Sequence, residues 1–337
     1  MNIPLLRQIF VVSSSILAAI STGGTMGLPS ILVQQLKRND SLIQLDLDTE
    51  TWIASIHGFA GIPSIIIAYL AQRWGRHLGF RLGCLSVLVG WIMLCFAKNA
   101  LTMIIAEIFQ GAGNKSLLLL CMMIISEMVE PRIRNQCMVL YGVTQTIFVL
   151  VVHAAGNFIH WKTISLIMCF PLALSIIFSF IWPESPAWLA YRGRFEESKK
   201  SFIWLRGKNK ESLEEMNALF NAQREFLRAE MTAKSAKRST PLMRIVWKKI
   251  TSRDFYLPIF HMFVLISCYY WSGNLTIVVY TVNIVGKVIE NSESAFIAMI
   301  VTDMAFIIDY QVRLCAQNCR LPQWSDVCSI RARLLQV

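Results

Sequence analysis

Six apolar runs of about membrane-spanning length follow one another along the first 182 residues, separated by short polar segments. About 20 apolar residues in helical form cross the hydrocarbon core of a bilayer, so each run predicts one transmembrane helix. Two weaker runs follow, at residues 256–285 and 295–308, and Asp303 interrupts the second. The pattern predicts an all-α polytopic membrane protein with one complete set of six helices and one or two more. The six predicted helices cover residues 9–32, 52–71, 82–97, 101–128, 136–158 and 163–182.

The polar segments fall into two kinds by charge. The turn at residues 72–81 has three arginines, and residues 191–253 hold many of the other cations, which is typical of cytoplasmic segments. The segment at residues 34–50 is mildly acidic and contains the glycosylation sequon that begins at Asn39, which suits the outer face. We therefore predict a multi-pass protein of the cell membrane with a cytoplasmic amino terminus.

Composition excludes an ordinary soluble domain. The chain is 55% hydrophobic and only 16% charged, with a mean hydropathy of +0.51. Its net charge of +11 does not indicate a nucleic-acid partner, because the cations cluster beside the apolar runs. Its nine cysteines show no metal-like spacing, and most lie in apolar runs, where they act as small hydrophobic residues. We expect no metal and no cofactor.

The stretch from Trp182 to Leu189 ends the sixth run and starts a charged segment. Pro183 cannot continue a helix, Ser185 is a good N-cap, and Pro186 is tolerated at a first helical position. The charged segment itself predicts a helix at residues 195–205 that Gly207 caps, and a second helix at residues 212–231 that opens with a capping box at Ser212.

These features divide the chain into four parts. The complete transmembrane half occupies residues 1–190, and a cytoplasmic helical loop occupies residues 191–253. A partial second transmembrane half covers residues 254–308, and residues 309–337 form a divergent polar tail without a further apolar span.

Four motifs in order resemble the sugar porters of the major facilitator superfamily, most closely the insect facilitated trehalose or hexose transporters. The motifs are Gly75-Arg76, the stretch from Glu127 to Arg134, the stretch from Pro183 to Leu189, and Ser272-Gly273. The resemblance implies alternating access, in which two six-helix halves rock around a sugar bound near the midplane. Against that pattern the chain has one half and a fraction of the other, so we expect a truncated product that does not transport sugar by itself.

The resemblance also implies roles for particular residues. Four charged residues are expected to pair across the cytoplasmic face as an inner gate: Arg76, Glu127, Arg134 and Glu184. Five residues are candidate sugar contacts: Gln145, Tyr269, Tyr270, Asn274 and Tyr280. Gln145 lies one helical turn from the position of the family's glutamine, and two tyrosines replace glutamines of the seventh helix. Aromatic faces stack on sugar rings and phenol hydroxyls donate hydrogen bonds.

Ionisable residues inside the apolar runs need a partner or a function, because burying a charge in lipid is costly. Glu107 lies in the fourth run, and Lys115 follows about two turns later on the same helical face as its expected counter-charge. We favour that structural pair over proton coupling by Glu107. His153 in the fifth run either lines a cavity or makes a hydrogen bond between helices.

Two other functions stay open at the sequence level. A non-transporting sugar sensor, or a chain that associates with a full-length transporter, fits the missing second half. A polytopic enzyme ranks lower, because no catalytic or metal-like cluster of His, Asp and Cys is evident. The expected partners are therefore a sugar, the lipid bilayer and a second transporter chain.

Overall fold

The computed structural model describes residues 3–36, 47–236, 247, 250–271, 297–305 and 307–308, and within these ranges the chain is helical and contains no strand. Residues 297–305 form a helical segment that we call the 297–305 helix. The other helices are α1 (Ile3–Leu36), α2 (Leu47–Phe59), α3 (Gly61–Trp74), α4 (Arg76–Cys95), α5 (Ala100–Met128), α6 (Pro131–Ala155), α7 (Trp161–Phe178), α8 (Pro186–Tyr191), α9 (Phe195–Arg206), α10 (Lys210–Ala236) and α11 (Arg253–Trp271).

Within these described ranges, six stretches are long and apolar enough to cross a membrane, and they confirm the six predicted helices. The second stretch, residues 51–74, combines the end of α2 with α3. The predicted boundaries differ most at the starts of α1 and α4, which begin six residues earlier than predicted, at Ile3 and Arg76, so that α4 includes most of the arginine-rich turn. α7 ends at Phe178, four residues before its predicted end.

The first six spans pack into one bundle with a continuous core. α1 lies against α6 and α7, and α4 lies between α5 and α7. Phe80, Trp91 and Leu117 are fully buried there. Large apolar side chains that point outward suit contact with lipid: Ile65, Ile66, Leu166, Phe170 and Ile177.

Glycines allow the closest approaches between helices, as the sequence predicts for α1. A Cβ at Gly23 would overlap the Gln145 carbonyl of α6, and a Cβ at Gly27 would come within 3.1 Å of the Val149 carbonyl. Small residues at membrane helix contacts have this effect because they let two backbones meet.

The helices α8, α9 and α10 cover one end of the bundle, beside the start of α1. Arg7 and Gln8 of α1 donate to the last carbonyls of α9, at Trp204 and Leu205. Gly207, with φ of 77°, ends α9 as predicted.

The predicted capping box at Ser212 is wrong. α10 already begins at Lys210, because the Asn209 carbonyl accepts the backbone N–H of Leu213. The Ser212 hydroxyl donates to the Arg206 carbonyl instead, and Glu215 pairs with the Arg206 guanidinium rather than reaching back to a cap.

Candidate functional site

Glu184 joins the link between α7 and α8 to the start of α4. Its two carboxylate oxygens accept the backbone N–H groups of Arg76 and His77, at 3.0 and 3.2 Å. These N–H groups have no partner inside the helix, and a carboxylate there also complements the helix dipole. Gly75 makes the approach feasible, because its φ of 123° suits glycine and a Cβ would overlap the Glu184 carboxylate.

Arg76 connects the start of α4 to the end of α5. Its Nε and one terminal nitrogen donate to the two oxygens of Glu127, at 3.2 and 2.9 Å, and its other terminal nitrogen donates to Gln72. Glu127 also accepts the hydroxyl of Ser185 at 2.5 Å. Ser185 in turn caps α8, as predicted, by accepting the backbone N–H of Trp188. We call Gln72, Arg76, Glu127, Glu184 and Ser185 the Glu184 cluster.

Every charged group of the Glu184 cluster has a hydrogen-bonded partner, and Arg76 is only 6% exposed. Its members come from the end of α3, the start of α4, the end of α5 and the link before α8. The cluster therefore fastens these helices together at the end of the bundle that carries α8 to α10.

Arg134 lies near this end but makes different contacts. Its guanidinium donates to the Val129 carbonyl, at 3.2 and 3.3 Å, and Arg206 donates to the same oxygen. No ion pair joins Arg134 to Glu127 or Glu184 within the described residues. Of the four predicted gate residues, the structure thus brings Arg76, Glu127 and Glu184 together and places Arg134 on the carbonyl that ends α5.

A second polar site lies within the bundle, along one side of α5. Glu107, Gln110 and Asn114 follow at spacings of three and four residues, and each is at most 1% exposed. Glu107 lies 3.1 Å from Nδ1 of His57, on α2. Asn114 lies 3.3 Å from the other ring nitrogen of His57 and donates to Thr25 of α1 at 2.9 Å. We call Glu107, Gln110 and Asn114 the α5 stripe.

The α5 stripe holds more polar atoms than its protein neighbours satisfy. One Glu107 oxygen, the Asn114 side-chain oxygen and both polar atoms of Gln110 are buried without a hydrogen-bond partner within the described residues. Buried polar groups are nearly always paired with protein, water or a ligand. The stripe can therefore accept and donate hydrogen bonds to a polar guest.

The predicted pairing of Glu107 with Lys115 is wrong. His57 contacts the carboxylate instead, and Lys115 forms no ion pair with Glu107 within the described residues. The Lys115 stem instead faces Gly61, where a Cβ would lie 3.6 Å from its Cγ. Spacing along α5 suggested a partner on the same helix, whereas packing supplied one from α2.

The predicted sugar contacts fall partly within the described residues. Gln145 is half-buried between α6 and α1, with its amide nitrogen 3.9 Å from the sulfur of Met26. Tyr269 and Tyr270 lie in the last turn of α11. Asn274, Tyr280 and the predicted glycosylation site at Asn39 lie outside the described residues.

His153 takes part in a contact that the sequence did not reveal. Its ring joins Ser30 of α1 to Asp303 of the 297–305 helix. His153 and Asp303 each stand out as an ionisable residue in an apolar run, which is the only signal the sequence offers for them. No group of three or more His, Cys, Asp or Glu side chains in the described ranges is placed to hold a metal ion.

The chain is similar to known membrane transporters. A model of the family described as "Sugar (and other) transporter" matches residues 8–310. A facilitated trehalose transporter of Apis mellifera ligustica is 27% identical over 196 residues, which are 56% of this chain and 38% of the relative. The sugar transporter ERD6-like 12 of Arabidopsis thaliana is 28% identical over 199 residues, 59% of this chain and 42% of the relative. The chain thus spans about two fifths of the length of each relative.

The fold is also shared with a solved transporter. The major facilitator superfamily proton:xylose symporter XylE, solved with 6-bromo-6-deoxy-D-glucose, aligns with a TM-score of 0.65 over 90% of this chain and 68% of the symporter. The two are 16% identical, so this likeness concerns the fold alone.

Proposed function

We propose that this chain carries a sugar across a membrane by alternating access, because it belongs to the family of sugar (and other) transporters. It is a multi-pass membrane protein with the major facilitator fold. The proposed substrate is trehalose or a hexose, and trehalose is the sugar in the names of the insect relatives.

The α5 stripe is the observation that carries the proposal. Burying polar groups without partners costs free energy, yet four buried polar atoms of this stripe lack protein partners in the part of the chain that the structure describes. Sugar hydroxyls both donate and accept hydrogen bonds, so they match a mixture of carboxylate and amide groups. A membrane protein of this family with such a stripe is suited to binding a neutral polyol.

The Glu184 cluster supports the alternating-access part of the proposal. It fastens four segments at the end covered by α8 to α10, which we assign to the cytoplasm from its cations. In this account the cluster holds the cytoplasmic end closed, and its release opens that end. Arg134 contributes by holding the end of α5 in place.

The topology has its own test. Cysteines introduced at Ser41 and Ser235 are labelled with an impermeant thiol reagent, and labelling of the unmodified chain is subtracted. The Ser41 position should react from outside, and the Ser235 position only after permeabilisation. The reverse pattern would contradict the cytoplasmic assignment.

Sugar uptake into vesicles that contain the purified chain tests the function, and it decides between this proposal and the expectation from the sequence that the chain does not transport sugar by itself. We expect saturable uptake of trehalose or glucose that falls on Gln145→Ala, because Gln145 is the proposed contact from α6. Gln136→Ala is the matched control, since Gln136 is an exposed glutamine near the start of the same helix. Uptake that is absent, or equally reduced by both variants, would overturn the proposal.

A further inference from the structure

Three residues from three helices form a buried chain of hydrogen bonds. The Ser30 hydroxyl on α1 lies 2.8 Å from Nε2 of His153 on α6. Nδ1 of the same ring lies 2.6 Å from an oxygen of Asp303 on the 297–305 helix. His153 is fully buried and Asp303 is 4% exposed, so neither group meets bulk solvent.

The Ser30 hydroxyl has two acceptors within reach, which gives the chain two complete hydrogen-bond patterns. It lies 2.9 Å from the Gly27 carbonyl as well as 2.8 Å from His153. When the hydroxyl donates to Gly27, its oxygen accepts from Nε2–H, and Nδ1–H donates to Asp303. When the hydroxyl donates to Nε2, the ring keeps only the proton on Nδ1. The two patterns differ by one proton, and neither leaves a polar group unpaired.

Burial favours the pattern with the additional proton. With that proton the ring is cationic and balances the Asp303 carboxylate, whereas without it the site holds an uncompensated negative charge. An isolated buried charge is far more costly than a hydrogen-bonded pair of opposite charges.

No other charged group in the described structure contacts this site. Ser30 and Gly27 are uncharged, and Asp303 is the only ionisable residue of the 297–305 helix. The other charged residues of α6, Arg132 and Arg134, lie about 30 Å away along the helix at 1.5 Å per residue. At the start of α7, which packs against α1, the His160 ring accepts the backbone N–H of Lys162, and the Lys162 ammonium lies over the Trp161 ring.

We infer that His153 and Asp303 together bind one proton at a site that ties the 297–305 helix to α1 and α6. Separation of that helix from α6 would expose Asp303 to water. The buried carboxylate would then no longer stabilise the charged imidazole ring, and the ring would release its additional proton to water. If the proposed sugar transport is correct, this exchange links proton movement to the rocking of the two halves. The proton site itself does not depend on transport.

The Ser–His–Asp order resembles that of hydrolases, but the surroundings exclude nucleophilic catalysis by Ser30. Ser30 lies in the interior of α1 and is 9% exposed. Backbone N–H groups around it are engaged in the helix, so none is free to stabilise an oxyanion. The arrangement is suited to holding a proton, and it offers no place for a scissile bond.

The experiment is nitrogen NMR on the full chain with 15N-labelled histidines, of which there are five. The signals of His153 are identified as those of the histidine whose Nε2 chemical shift changes in Ser30→Ala. At about pH 8, where an ordinary histidine is neutral, we expect both ring nitrogens of His153 to carry protons. Asp303→Asn should abolish the second proton, because the neutral amide cannot balance a cation.

Glu211→Gln is the matched control, since it also converts a carboxylate to an amide but at an exposed site paired with Arg132. It should leave the His153 signals unchanged. A singly protonated His153 in the unmodified chain between about pH 7 and 8 would overturn the inference, and so would a ring that stays doubly protonated in Asp303→Asn. Neither readout requires sugar uptake, so the NMR result can overturn the proton site without affecting the proposed transport, and the uptake result can overturn the transport without affecting the proton site.

Discussion

The Glu184 cluster and the α5 stripe are both polar sites in an apolar bundle, but they differ in how well the protein satisfies them. In the Glu184 cluster, Arg76 has three donor contacts and Glu127 accepts from both Arg76 and Ser185. In the α5 stripe, the Gln110 amide has no hydrogen-bond partner among the residues that the structure describes.

The difference separates structural from functional polarity. A charge network that is fully paired holds helices in one arrangement, and breaking it costs stability because the remaining partner is left buried. Polar atoms without a protein partner weaken the fold unless water or a ligand satisfies them, so the α5 stripe is a place where a polar guest can bind. Variants in the two sites should therefore change different properties.

The largest effect is expected for Glu127→Gln. The change keeps the shape but leaves Arg76 buried without its counter-charge, and removing one partner of a buried pair costs about 3–5 kcal/mol. The end of the bundle that carries α8 to α10 should open more often, so a reporter cysteine at Met123 of α5 should react faster from that side. Glu211→Gln, at an exposed pair, should not alter the rate. An unchanged rate in Glu127→Gln would mean that the cluster does not hold this end closed.

A smaller loss of stability is expected for Gly75→Ala. Positive φ at a non-glycine residue costs about 1–3 kcal/mol, and the new Cβ would also displace the Glu184 carboxylate from the start of α4. Gly193→Ala is the comparison at positive φ without a steric neighbour, because Gly193 has φ of 76° with nothing near its Cβ position. Gly75, with φ of 123° and ψ of 158°, has a backbone conformation that is more strictly limited to glycine, which adds to the expected difference. Thermal unfolding should show the greater loss at Gly75. Equal losses would imply that Glu184 adds nothing at α4.

A change that barely alters stability, or raises it by about 1 kcal/mol, is expected for Gln110→Leu. The leucine removes two buried polar atoms for which the described ranges supply no partner, at nearly the same side-chain volume. Gln72→Leu is the matched control, since Gln72 accepts from Arg76 at 2.9 Å and its loss should lower the melting temperature. A destabilised Gln110→Leu would show that the amide has partners in the folded protein.

The smallest effect concerns His160, which caps α7 by accepting the backbone N–H of Lys162. Burial, with the nearby Lys162 charge, lowers the pKa of His160. Because the folded-state pKa is the lower one, the cap's contribution is present at neutral pH and is lost as pH falls through that pKa. The loss should be below about 1 kcal/mol. Melting temperatures between about pH 7 and 5 should fall slightly less in His160→Ala than in the unmodified chain.

The sequence correctly predicted those features that depend on the local pattern of residues. Apolar run length located the six spans, and the Ser185-Pro186 pair located the start of α8. The meeting of Arg76 with Glu127 was expected only from family resemblance, because 51 residues separate them.

The contacts that were missed all depend on how helices pack. His57 reaches Glu107 across 50 residues, and Asp303 reaches His153 across 150, which no helical spacing encodes. The predicted capping box at Ser212 was wrong for a different reason. Its motif was present, but Arg206 attracted Glu215 and the helix started earlier.

Sugar binding to the purified chain tests most directly whether the α5 stripe is the substrate site. Titration of trehalose and glucose by calorimetry should give saturable binding to the unmodified chain, and Gln110→Leu should abolish it while retaining the folded state. Glu127→Gln should still bind, because the Glu184 cluster holds helices rather than sugar. Binding that survives Gln110→Leu but is lost in Glu127→Gln would contradict the separation of the two sites.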